Sequence, residues 1–94
     1  MSKFAMGKLV VTAGIDEQMK NDSSFRGFVQ MSIGRFSNGD WGNMDSEDKQ
    51  QNEQGLKDGE RLMGVYIRPG TDEKIWIITE WDRSVTTVLY PHEY

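Results

Sequence analysis

Lys74-Ile75-Trp76-Ile77-Ile78-Thr79-Glu80-Trp81-Asp82-Arg83-Ser84-Val85-Thr86-Thr87-Val88-Leu89-Tyr90-Pro91 is the stretch that decides the fold of this chain. Lys74 to Thr79 is its strongest strand signal, with Ile75 and Ile77 on one side of an extended backbone and Trp76 and Ile78 on the other. Trp81-Asp82-Arg83-Ser84 reads as a hairpin connection and Val85 to Tyr90 as the returning strand. Pro91 stops it, because proline has no amide to donate. A strand apolar on both sides belongs in the middle of a sheet.

Upstream, Leu62 to Ile67 is a further strand, joined to the first by the turn Pro69-Gly70-Thr71-Asp72. Lys8-Leu9-Val10-Val11-Thr12 is a β-branched run, and Ala13-Gly14 after it reads as a turn. Asp16 caps a helical turn starting at Glu17. Phe25, Phe28, Val29, Ile33 and Phe36 then repeat at helical spacing, with Ser23 or Ser24 as N-cap. Gly27 and Gly34 weaken that helix by about 1 kcal/mol each relative to alanine. Close approach to the sheet is the role expected of them.

After the loop Asp40-Trp41-Gly42-Asn43-Met44, Asp45 caps a second helix running to about Lys57. Its only apolar residues are Met44 and Leu56, so it lies on the surface. The expected structure is a single α+β domain over residues 1–94. It has an antiparallel four-stranded sheet, the order β-α-α-β-β-β, and helices packed on one face. Two helices are too few to cover such a sheet twice, which leaves a homodimer across the open face as good a reading as a monomer.

The composition allows a core: 36% of the 94 residues are hydrophobic and 11% aromatic, and each aromatic ring buries a large area. There is no cysteine, so disulfides and thiolate metal sites are excluded. No run approaches the roughly 20 apolar residues of a membrane span, and no signal-peptide pattern opens the chain. A cytoplasmic protein is expected. The net charge is −4, but residues 40–60 hold seven acids against two bases and carry −5 by themselves. Such a patch repels a nucleic-acid backbone, so no direct nucleic-acid partner is expected.

Catalytic equipment is sparse. His92, the only histidine, stands two residues from the end of the sequence, where chains fray. Nucleophile–histidine arrangements therefore lack their base. The glycines form neither a phosphate-binding loop nor a dinucleotide fingerprint. Asn38, Asp40, Asn43, Asp45 and Glu47 offer oxygen ligands for a divalent cation. An EF-hand starting at Asp40 would need glycine at Asp45 and glutamate at Gln51, so a solvated acidic loop is preferred. No metal, cofactor or catalytic residue is assigned.

Binding residues are easier to nominate. Trp41 in its polar loop either plugs the core or anchors a partner, the second because tryptophan is enriched at binding hot spots. Asp40, Asp45, Glu47, Asp48 and Glu53 form the acidic face. Asp82 and Arg83 stand at the hairpin tip, although Asp82 also suits a turn bonded to its own backbone.

Three segments carry a resemblance. Lys8-Leu9-Val10-Val11-Thr12-Ala13-Gly14-Ile15, Ser37-Asn38-Gly39-Asp40-Trp41-Gly42 and the stretch from Lys74 to Pro91 resemble small proteins of Gram-positive bacteria, carried by phages, plasmids and other mobile elements. The resemblance spans nearly the whole chain and is most specific in the last segment. It implies a setting and transfers no catalytic residue. By analogy, such proteins counter host defence as anti-CRISPR or antirestriction inhibitors. The expected function is therefore stoichiometric inhibition of a bacterial defence protein, a CRISPR effector or restriction enzyme, with the acidic face in a nucleic-acid groove. The rival expectation is a homo-oligomeric structural or regulatory protein of phage or plasmid maintenance.

Overall fold

The computed structural model describes residues 2–94. Strand β1 (Lys8–Val11) leads into three helices, α1 (Ala13–Asn21), α2 (Ser23–Ser37) and α3 (Ser46–Asp58). Strands β2 (Leu62–Ile67), β3 (Lys74–Thr79) and β4 (Val85–Leu89) follow, and a short 3-10 turn spans Pro91–Glu93. The α+β class is as expected, but the order is β-α-α-α-β-β-β.

β2, β3 and β4 form the expected antiparallel meander, with Trp76 beside Val65 on one flank and Leu89 on the other. β1 corrects the all-antiparallel expectation. It pairs in parallel with β4, giving a mixed sheet in the order β1-β4-β3-β2. Hairpins fix their own direction locally, whereas β1 is oriented by contacts about 80 residues away in sequence. The Lys8 and Thr12 amides donate to the carbonyls of Ser84 and Val88, and the Thr86 hydroxyl donates to the Met6 carbonyl at 2.6 Å. With the Thr86 proton so used, Thr79 donates the buried 2.7 Å bond between the two hydroxyls.

α1 begins at Ala13, so Ala13-Gly14 is helix and not a turn. Its cap comes from the far end of the sequence. The Glu93 carboxylate accepts from the Thr12 hydroxyl at 2.6 Å, the Gly14 amide at 3.2 Å and the Tyr90 amide at 2.9 Å. The Thr12 hydroxyl bond, before the two amides, holds Glu93 below the usual carboxylate range. A Cβ on Gly14 would sit 2.7 Å from that carboxylate.

α2 is capped by Asp22, one residue before the expected serines, through a 3.0 Å bond from the Phe25 amide. Phe25, Val29 and Phe36 pack with Ile15, Leu62, Tyr66, Ile75, Ile77 and Val88 into one core on the helix-covered face of the sheet. Gly27 and Gly34 do not approach the sheet, and open space lies where their side chains would be.

α3 does not join that layer. It lies along the outer edge of β2, where the buried Asn52 amide behaves as a strand. Asn52 Nδ2 donates to the Met63 carbonyl at 2.7 Å, and the Met63 amide donates to Asn52 Oδ1 at 3.0 Å. The loop before α3 continues this cover. The Val65 amide donates to the Trp41 carbonyl, the Asn43 amide to the Val65 carbonyl, and the Ile67 amide to Asn43 Oδ1. Gly42 permits the approach, with φ +81° and a missing Cβ that would fall 2.0 Å from the Val65 carbonyl. An open edge is thereby closed. Asn52→Ala leaves a donor and an acceptor of Met63 unpaired and should cost about 2–4 kcal/mol. Chemical denaturation checks it, and a loss below about 1 kcal/mol would mean that the edge is held by the loop alone.

Candidate protein-binding surface

The acidic window becomes α3 and its flanks. Asp45 is the N-cap, accepting from the Asp48 amide at 2.8 Å. Residues 45–51 are all exposed. Among the described residues, Glu47 and Asp48 take part in no ion pair. Three acids elsewhere are committed to ion pairs. Asp16 pairs with Lys20, and Asp22 and Glu73 both pair with Arg68. Asp40 departs from its expected role as a free acid. Arg35 grips it with bonds of 2.8 and 3.2 Å, and this guanidinium chiefly holds its carboxyl below the usual range. The same carboxylate accepts from the Gly42 amide at 3.1 Å.

Trp41 is a core residue. Its indole is 3% exposed, stacks beside Phe4 and meets Phe36 edge-on. Its Nε1 donates to Glu53 at 2.7 Å, which ties α3 to the body of the domain. Trp41 thus takes the plugging role, and its ring is withheld from any partner. Glu53 spends one oxygen on holding it.

The hairpin tip is likewise structural on one side. Asp82 accepts from the Ser84 hydroxyl at 2.6 Å and the Ser84 amide at 3.0 Å, and the hydroxyl first, the amide second, lower its pKa. Arg83 adopts φ +59°, left-handed backbone that is unusual for a side-chain-bearing residue. That conformation turns its guanidinium onto the end of α3. Nη1 donates to the Glu60 carbonyl at 2.6 Å and Nη2 to the Gly55 carbonyl at 3.1 Å. The Gly55 carbonyl belongs to the last turn of α3, at the negative end of the helix dipole, which a cation offsets.

The clamp joins two regions that the sequence keeps about 25 residues apart. It also brings forward a residue the sequence reading passed over. Trp81, on the clamped hairpin, is 67% exposed. The exposed indole is Trp81 and not Trp41. The available signal was its position in a polar turn, outside the alternation of β3 and β4. Glu60 and Trp81 thus lie at the clamped end of α3, and Glu47 and Asp48 are exposed in its first turn.

Other chemistry is not assembled here. Asp40 and Asn43 of the nominated cation loop are engaged with Arg35 and the Ile67 amide, and among the described residues no three potential ligands converge. A groove of about 420 Å³ between α2 and β2 is lined by Phe28, Met31, Arg35, Ile67 and Pro69. It pairs no acid with a base. Among the described residues no helix is long and apolar enough to cross a membrane. Comparison with protein-family models, with curated proteins and with solved structures gives no match to this chain.

Proposed function

We propose that this chain is a protein-binding inhibitor from a mobile element, which occupies the nucleic-acid groove of a bacterial defence nuclease, a CRISPR effector or a restriction enzyme. One observation supports the proposal: a capped helix bears Glu47 and Asp48 in its first turn, without ion pairs among the described residues, and its far end is clamped to a hairpin that exposes Trp81. A fixed charge array steers a basic groove toward itself, and a large indole supplies the affinity that charge alone does not.

Charge density narrows the geometry. α3 has 13 residues, so it is about 20 Å long. Duplex DNA carries about 12 phosphates over that length, and one of its strands about 6. Residues 46–58 hold four acids against two bases, a net −2 that is far below a duplex and nearer a single strand in charge density. A channel that holds one guide or displaced strand is therefore the better target.

Cleavage assays with purified RNA-guided effectors and restriction enzymes test the proposal. Inhibition should saturate at one chain per nuclease and be relieved by competing single-stranded nucleic acid. Undiminished cleavage across both classes at a tenfold excess of the chain would overturn it.

A further inference from the structure

The sheet face opposite α1 and α2, expected to be open, is covered within the chain: Tyr94 meets the Trp76 ring edge-on, and Ile78 and Leu89 are only 3% and 5% exposed. The two edges of the sheet, β2 and β1, differ. The outer side of β2 is closed by Asn52, Trp41 and Asn43. β1 pairs with β4 on one side and, among the described residues, with nothing on the other. Its Lys8 amide and the Thr12 amide beyond it point toward β4, where they donate to Ser84 and Val88. Alternation turns the amides and carbonyls of Leu9 and Val11 outward. Leu9 is 47% exposed. Edge strands are commonly guarded by charge, proline or a bulge, and Leu9-Val10-Val11 carries none of these.

We infer that a second copy of this chain pairs along this edge, β1 antiparallel to β1, joining two four-stranded sheets into one of eight strands. The inference rests on the fold and is independent of the inhibitor proposal. The outward groups select the register. Leu9 opposite Val11 of the partner subunit uses both amides and both carbonyls of each copy, with Val10 on the two-fold axis. Pairing Leu9 with Leu9 of the partner subunit would set Val11 against Gly7, whose φ of +63° breaks the extended backbone. Pairing Val11 with Val11 of the partner subunit would set Leu9 against Ala13, which is already helical.

Charge complementarity selects a second copy as the occupant. Leu9 and Val11 stand beside Thr86 and Val88 on the helix-covered side, so Lys8, Val10 and Thr12 take the other side. Lys8 then lies opposite Thr12 of the partner subunit, as a pair without mutual backbone bonds and with Cα atoms about 4.5 Å apart. The Thr12 hydroxyl is bonded to the Glu93 carboxylate, so the flexible stem of Lys8 carries its ammonium toward Glu93 of the partner subunit. Neither Lys8 nor Glu93 has an ion-pair partner among the described residues. Symmetry repeats the pair, and on the helix-covered side Leu9 packs beside Val11 of the partner subunit. The contact is about 17 Å long, five residues from each copy. It buries less than the roughly 1,200 Å² of a stable interface, so the dimer is weak and reversible.

Sedimentation equilibrium up to about 500 µM should show reversible association from 10.8 kDa to twice that mass. Hydrogen exchange should slow at the Leu9 and Val11 amides as concentration rises and stay constant at Val10, which faces β4. Lys8→Glu places like charges together and should weaken the dimer at least tenfold. Leu9→Pro removes an outward amide and none that faces β4, and should abolish it. Lys8 is exposed, so its variant should keep the wild-type circular dichroism spectrum. If Leu9→Pro unfolds, Lys8→Glu and the exchange rates decide. A wild-type chain that stays at 10.8 kDa throughout would overturn the inference. So would a dimer that Lys8→Glu leaves as tight, or one whose Leu9 and Val11 amides exchange as in the monomer.

Discussion

Trp41→Ala should lower stability by about 3–5 kcal/mol, the usual cost of emptying a buried aromatic site. At about 4–8 °C per kcal/mol for a domain near this size, the melting temperature should fall by about 12–40 °C. The ring is 3% exposed and lies among Phe4 and Phe36, so its removal leaves a cavity beneath the loop that covers β2. Losing the bond to Glu53 is the smaller part, because an exposed carboxylate regains water. Trp41→Phe separates the two effects, keeping much of the ring while deleting the donor. Trp81→Ala is the control: its indole is 67% exposed and its loss should change stability by less than about 0.5 kcal/mol. Thermal melts of the three variants decide the matter. Equal melting temperatures for Trp41→Ala and Trp81→Ala would contradict the placement of both indoles.

Much of this fold was legible because its signals are local. Alternation in β2, β3 and β4 with turn residues between them gave the meander, and Asp45 as N-cap gave the start of α3. What escaped was set at a distance. Ala13-Gly14 has the composition of a turn, and only Glu93, about 80 residues on, makes it the first turn of a helix. β1 carries no mark of its direction, which the bonds of Lys8 to Ser84, of Thr12 to Val88 and of Thr86 to the Met6 carbonyl decide. Gly27 and Gly34 suggested close packing, yet they face open space and nothing in the fold explains them.

The candidate surface divides the same way. Its acidity is a matter of composition and was visible at once. Which tryptophan faces outward was not, since both sit in polar loops. Trp41 is drawn inward by Phe4, Phe36 and Glu53, and Trp81 is held outward on a hairpin fixed by Arg83. The positive φ of Arg83 has no sequence signature. It nevertheless joins the hairpin to α3.

These placements choose the residues for the functional test. Asp45 caps α3 and Glu53 holds Trp41, so reversing either would disturb the fold along with the charge. Glu47, Asp48 and Glu60 are exposed, and their side chains form no ion pair among the described residues. Exposed charges of this kind contribute about 0–1 kcal/mol to stability. Against a basic groove, like charges cost several kcal/mol. The most direct measurement is therefore a nuclease-inhibition titration of the triple variant Glu47→Lys, Asp48→Lys, Glu60→Lys beside the wild type. The half-inhibitory concentration should rise at least about 100-fold, equivalent to about 2.7 kcal/mol, with an unchanged circular dichroism spectrum. A triple variant that inhibits as strongly as the wild type would contradict the account.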